Sequence, residues 1–304
     1  PQMTLRPDMP ADRAQEDSVF QETVVRAEMP LPSNDDAADY VCADAPAEAE
    51  TPAPADNRSP AEKLAEYADC RSKFIPAGTD IAEVNRKYQY ALHYGAEWGY
   101  STVILPVSQE LADALCGDSA VVGAVRSARM MTLERPAQTA DPGELERLYA
   151  RKTAVIEKNG ISVGQFENAE VEGAAINCFS SFVRNGKTTR NLLLLQVPVS
   201  EPWRVFEWIP VGGIAGVPSN DLLTAASRQW FELCGAIPAV LGYGVAEFFV
   251  PNGFPGRQTA LKIAREQFAL CHERVLRLTR SHTLSELADT LTKSCVWYLG
   301  WNEH

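Results

Sequence analysis

No two of the seven cysteines (Cys42, Cys70, Cys116, Cys178, Cys234, Cys271 and Cys295) form a C-x-x-C pair. A zinc ribbon or thioredoxin-like motif is therefore not expected. Isolated cysteines in apolar surroundings are usually small core residues held reduced, so a cytoplasmic protein without a disulfide framework is expected. Long apolar runs are missing as well. The longest, Leu192 to Leu195 with its flanks, is far short of the roughly 20 residues needed to span a bilayer. From Pro1 onward no basic stretch precedes an apolar one, so no secretory leader is expected in these residues. There is no Ser-His-Asp order, no Walker loop and no H-E-x-x-H. The net charge is −12, whereas a nucleic-acid binder needs positive surface to displace counterions, so no nucleic-acid partner is expected.

What the chain does have is length and apolar content. Its 304 residues, 45% of them hydrophobic, suffice for a sizeable core. The acidity is uneven. Residues 1–66 hold 15 Asp/Glu against 5 Lys/Arg, and the remainder 25 against 23. Segment 1–58 is rich in Pro, Ala, Asp and Glu, and has too little apolar surface to offset its ordering entropy. It reads as a disordered acidic tail whose one apolar island runs from Val19-Phe20 to Val24-Val25. Two α/β parts come next, 59–195 and 196–304, expected to form one compact body.

Structure is expected to begin at Ser59-Pro60-Ala61-Glu62, where Ser59 caps a helix, Pro60 suits its first turn and Glu62 completes a capping box. Asp80 and Glu83 open a longer helix with Ile81, Val84, Tyr88, Ala91 and Leu92 on one face, closed by Gly95 and Gly99. Ser101 to Val107 reads as a buried strand and Gln109 to Leu115 as a helix. A third box at Asp141-Pro142-Gly143-Glu144 starts a helix towards Lys158. The runs Ala175–Val183 and Arg190–Val199 flank Arg184-Asn185-Gly186-Lys187, and Asn-Gly between β-prone runs signals a hairpin. A strand is expected at Arg204–Ile209, a helix at Ser219–Leu233, and strands at Pro238–Leu241 and Val245–Val250. Helices at Gln258–Glu273 and Thr283–Leu291 and a closing strand at Val296–Trp301 complete the pattern. The fold class is α/β (α+β), with a mixed β-sheet and central hairpin flanked by helices.

Several motifs in fixed order then point to a known family. Glu201-Pro202-Trp203-Arg204-Val205-Phe206-Glu207-Trp208-Ile209-Pro210-Val211-Gly212-Gly213 resembles the Pro-Trp…Pro-x-Gly-Gly segment of the bacterial domain-of-unknown-function family DUF4253. Trp230-Phe231, Gly235-Ala236, Glu247-Phe248, Ala264 to Cys271, Leu284 to Ala288 and Ser294 to Asn302 come in the family's order. The resemblance is clear over about 196–302 and weaker back to about 73. There are departures: Ile214-Ala215-Gly216-Val217-Pro218 stands where the family continues Trp-Asn-x-Cys-Pro, Cys271-His272-Glu273 replaces Cys-Pro-Asp, and Gly300-Trp301-Asn302 replaces Trp-Trp-Asp. The resemblance implies a fold and class and transfers no activity.

The candidate binding residues are Trp203, Glu207, Glu247 and Glu266. On a strand, Trp203 and Glu207 share a face opposite Arg204, Phe206 and Trp208. A buried Glu207 among aromatics would have the raised pKa of a general acid, while the plainer alternatives are core packing and a solvent-facing carboxylate. Gly212, Gly213 and Gly216 before a helix suggest a phosphate cradle, but Asp221 in its first turn opposes one and a tight turn is the plainer reading. Cys271-His272-Glu273 with His282 makes a poor metal set, because adjacent helical residues point about 100° apart. No cofactor and no metal are expected. The function is read as a non-catalytic, intracellular interaction module with an unknown protein or small-molecule partner. Its competitor is an enzyme or small-ligand binder with carboxylates in a cleft near Trp203–Trp208 and Gln258–Glu273.

Overall fold

The computed structural model describes residues 57–117, 129, 131, 134, 141, 143–158, 162, 166–167, 171–251, 254–272, 275 and 279–301. The acidic tail, apart from 57–58, and Glu273 lie outside the described residues. By internal contacts the chain divides into two units, Pro1–Pro54 and Ala55–His304. The described strands and helices lie in the second unit.

Its strands are β1 (Arg71–Ile75), β2 (Ser101–Pro106), β3 (Val183–Arg184), β4 (Lys187–Thr188), β5 (Leu192–Val197), β6 (Ile237–Gly242), β7 (Val245–Phe249) and β8 (Val296–Gly300). Six of them form a mixed sheet of order β1-β5-β2-β6-β7-β8. All neighbours are antiparallel except β2 and β6, which meet in parallel at Ile104 and Val240. β3 and β4 form a separate two-stranded ribbon. Its turn is the expected one, with Asn185 and Gly186 at φ of 50° and 75°, the left-handed pair of a type I′ turn. Thr188 pairs with Val183 as the last rung of the ribbon and turns its polar groups outward. Its N–H bonds Thr79 O, and its hydroxyl accepts from Thr79 N, so the ribbon is tied to the entry of the helix that begins at Ile81.

The helices are α1 (Pro60–Ala68), α2 (Ile81–Trp98), α3 (Gln109–Cys116), α4 (Gly143–Lys158), α5 (Val205–Trp208), α6 (Asn220–Cys234), α7 (Arg257–Leu270) and α8 (Leu284–Leu291). Side-chain caps fix the start of several of them. The Ser59–Glu62 box is formed in both directions, Asp80 accepts from Ala82 N, and Thr283 accepts from Glu286 N.

The strand expected at Arg204–Ile209 is helical instead: Pro202–Arg204 is a 3₁₀ turn that runs into α5. Pro202 in the first turn starts a helix readily, and the short segment packs on α6 rather than joining a ladder. The alternation that placed Trp203 and Glu207 together against Phe206 and Trp208 does not apply.

Alternation of side chains divides the core between the two faces of the sheet. On one face Val103, Leu105, Leu193, Leu195, Phe248, Trp297 and Leu299 pack against residues of α1 and α3 to α8. On the other Ile104, Leu192, Leu194 and Val240 pack against Val84, Tyr88 and Ala91 of α2 and against Phe179 and Phe182. β2 is buried along its whole length because both faces are covered.

The segment before Phe179 is a strap along the outer edge of β8, where Ile176 O accepts from Val296 N and Asn177 Oδ1 from Cys295 N. Gly173 lets it approach α8. A Cβ there would stand 2.2 Å from Thr290 Oγ1 and 2.5 Å from Glu286 O. Gly173→Ala is expected to lower stability by about 1–3 kcal/mol through displacement of the strap, read from the thermal unfolding midpoint; an unchanged midpoint would remove the strap's claim to tight packing.

Candidate functional site

Each of the candidate carboxylates is held by its own structural partners. Glu207, on α5, pairs with Arg204 one turn earlier: Arg204 Nε donates to its Oε2 at 2.8 Å, and Nη2 lies 2.7 Å away. Both side chains are about 10% exposed, so the pair is largely sheltered.

Glu247, on β7, is 0% exposed. Its carboxylate accepts from Ser181 N at 2.7 Å and from Ser180 N at 3.1 and 3.2 Å. It sits among Phe179, Phe182 and Phe249 on the α2 face of the sheet. Glu266, on α7, accepts from Trp230 Nε1 at 2.7 Å and Gln229 Nε2 at 2.8 Å, both donors on α6. Burial pushes the Glu266 carboxyl above its ordinary value, against the hydrogen bond from Trp230 and the charge of Lys262. Trp230 stacks edge-on with Phe248, 5.0 Å between centroids. Phe248 points to the face of β7 opposite Glu247, so the sheet itself separates Glu247 from Glu266. Glu207 and Glu266 share the other layer. The structure therefore does not gather the three into one cleft.

Trp203 leans on α6 with its ring 5.0 Å from Phe231, and the Arg228 guanidinium lies 5.9 Å from its centroid. The glycine loop is a turn: Gly213 N bonds Val217 O, and Asn220 Oδ1 accepts from Gly212 N at 2.8 Å. That side chain occupies the mouth a phosphate would need. Cys271 is buried and donates to Gly300 O, while His272 Nδ1 lies 3.2 Å from Lys152 Nζ. Among the described residues no group of His, Cys, Asp and Glu is placed to hold a metal.

Three features have no clear signal in the sequence pattern. Arg265 grips Glu167 with Nε and Nη2 at 2.8 and 2.6 Å, and the Tyr149 hydroxyl donates to the same carboxylate, which ties α4 to α7. An aromatic ladder runs along the outer side of α2: Tyr90, Tyr94 and Trp98 at i, i+4 and i+8, with Tyr90 and Tyr94 rings 4.5 Å apart. Tyr90 is 60% and Trp98 75% exposed. The spacing is visible in sequence, but it runs along one flank of the periodic core positions. The third is a buried arginine, Arg129, in a stretch with no clear periodicity.

These elements define an α+β protein with a mixed sheet, helices on both of its faces, and no helix among the described residues long and apolar enough to cross a membrane. Within it, residues 193–302, from β5 to the end of β8, match the family DUF4253, described as a domain of unknown function. No curated protein and no solved structure matches the chain.

Proposed function

We propose that the protein is a non-catalytic, intracellular interaction module that binds a partner protein through the outer face of α2. The observation that carries this reading is the ladder Tyr90, Tyr94 and Trp98, with exposed His93 beside it. Exposed aromatics at helical spacing keep apolar area in water, and such residues dominate binding energy where they are buried on association. The carboxylates of the competing reading support it from the other side, since Glu207, Glu247 and Glu266 are engaged with Arg204, two backbone amides, and Trp230 with Gln229. The acidic segment 1–58 serves in this reading as a solubilising tether.

The test is affinity capture with the full chain and with Tyr90→Ser/Trp98→Ser, followed by purification of the captured protein and titration against both. Loss of two exposed aromatic anchors is expected to weaken binding at least tenfold, about 1.4 kcal/mol, with unchanged circular dichroism. A folded double variant that binds the purified partner as tightly as the parent overturns the reading.

A further inference from the structure

Hydrogen bonds register the strap before Phe179 on α8 and on the outer edge of β8. Gly173 N donates to Asp289 Oδ2 at 2.7 Å, and Ile176 N to Ser294 Oγ at 2.8 Å. Ile176 O accepts from Val296 N at 3.1 Å, and Asn177 Oδ1 accepts from Cys295 N at 3.3 Å. Cys178 is the next residue of the strap, so it stands one position from the contact between Asn177 and Cys295.

These two cysteines differ from the others in setting. Cys178 is exposed, Cys295 is half-buried, and both are free thiols. Cys271, by contrast, is buried and donates to Gly300 O. Burial, and then the neighbouring Cys178, push the Cys295 thiol above its ordinary value, so the two sulfurs sense each other. Consecutive Cα atoms are about 3.8 Å apart, and a disulfide joins Cα atoms about 4.4–6.8 Å apart. A contact one residue away therefore leaves closure to a rotamer change and a small movement of the strap. Residues 171–180 belong to no strand, so that movement breaks no ladder.

We propose that Cys178 and Cys295 are an oxidation site, a dithiol that a small disulfide such as oxidised glutathione closes into a bond locking the strap to β8. The exposed Cys178 thiolate attacks one sulfur of the oxidant and expels the first glutathione thiol. The Cys295 thiolate then attacks Cys178 Sγ and expels the second. The protein gives up two protons and two electrons, and oxidised glutathione is reduced to two thiols. Disulfides of cytosolic proteins are usually transient and redox-sensing, which fits a pair that is reduced at rest. The turn whose Ser180 and Ser181 amides grip Glu247 begins just after Cys178, so the lock steadies that turn as well. The pair uses none of the residues of the α2 ladder, so failure of either reading leaves the other standing.

The test exposes the full reduced chain to oxidised glutathione, quenches with acid and alkylation, and maps the peptides without reduction. A transient glutathione adduct on Cys178 is expected to give way to peptides joined through Cys178 and Cys295. The melting temperature of that product is expected to rise by at least about 5 °C, reversed by dithiothreitol, because the bond closes a long loop. Cys295→Ser should stop at the Cys178 adduct without the rise, and Cys178→Ser should give neither the adduct nor the joined peptides. A parent that stops at the adduct overturns the proposal, as does one whose Cys178 joins another cysteine of the same chain or of a second copy. A Cys178–Cys295 product that melts no higher than the reduced chain overturns the lock. Should a serine variant not fold, the parent's peptide map and melting temperature decide alone.

Discussion

Glu247→Ala is expected to destabilise the body by about 1–3 kcal/mol, because it leaves two part-buried backbone donors without their acceptor. Ser180 N and Ser181 N aim at this one carboxylate from the turn that follows the strap, between Phe179 and Phe182. The acceptor itself is 0% exposed, so both bonds end on a carboxyl shielded from water. The urea midpoint should fall with the slope unchanged. Amide exchange at Ser180 and Ser181 should speed up before the rest of the sheet responds. A loss below about 1 kcal/mol would mean that Ser180 and Ser181 are held chiefly by the packing of Phe179 and Phe182 beside them.

The second large effect concerns Glu266. Glu266→Ala is expected to cost about 1–3 kcal/mol, since it leaves Trp230 Nε1, deep under α7, without an acceptor. The pH dependence separates this role from mere packing. Burial raises the carboxyl in the folded state above its unfolded value. Between the two values the native chain therefore binds more protons than the unfolded one, and stability falls as pH rises through that window. The contribution is most favourable below the ordinary glutamate value and is lost above the raised folded value. The stability of the parent minus that of Glu266→Gln, measured across this range, should decline with pH. A flat or rising difference would show that the hydrogen bonds from Trp230 and Gln229 outweigh burial.

The two carboxylates illustrate what a linear reading can and cannot recover. Both are expected as polar groups of one cleft, and the structure buries each of them at its own place. Their separation by the sheet is not readable in the sequence, because it depends on which face of β7 packs under α2 and which under α6. The strand expected at Arg204–Ile209 fails for a related reason. Aromatic and β-branched residues suit a strand by composition, but Pro202 and the packing of Trp203 on Phe231 favour a helical turn. Conversely the sequence pattern does not predict β1, since Arg71-Ser72-Lys73-Phe74-Ile75 is largely exposed and charged, as suits an edge strand. Only its pairing with β5 reveals it.

Local chemistry determined the elements that local chemistry controls. The caps at Ser59, Asp80 and Thr283, the Asn185-Gly186 turn, the buried strand β2 and the amphipathic helices α2 and α6 arise from neighbours within a few residues. Tertiary structure alone decided which side chains meet. It placed the β5 strand between β1 and β2, set Glu247 and Glu266 on opposite faces, and left Tyr90 and Trp98 in solvent. It also enclosed Arg129 between the rings of Tyr67 and Trp208, both remote in sequence. Those contacts depend on chain segments far apart, whose pairing is set by the packing of the whole core rather than by any local pattern.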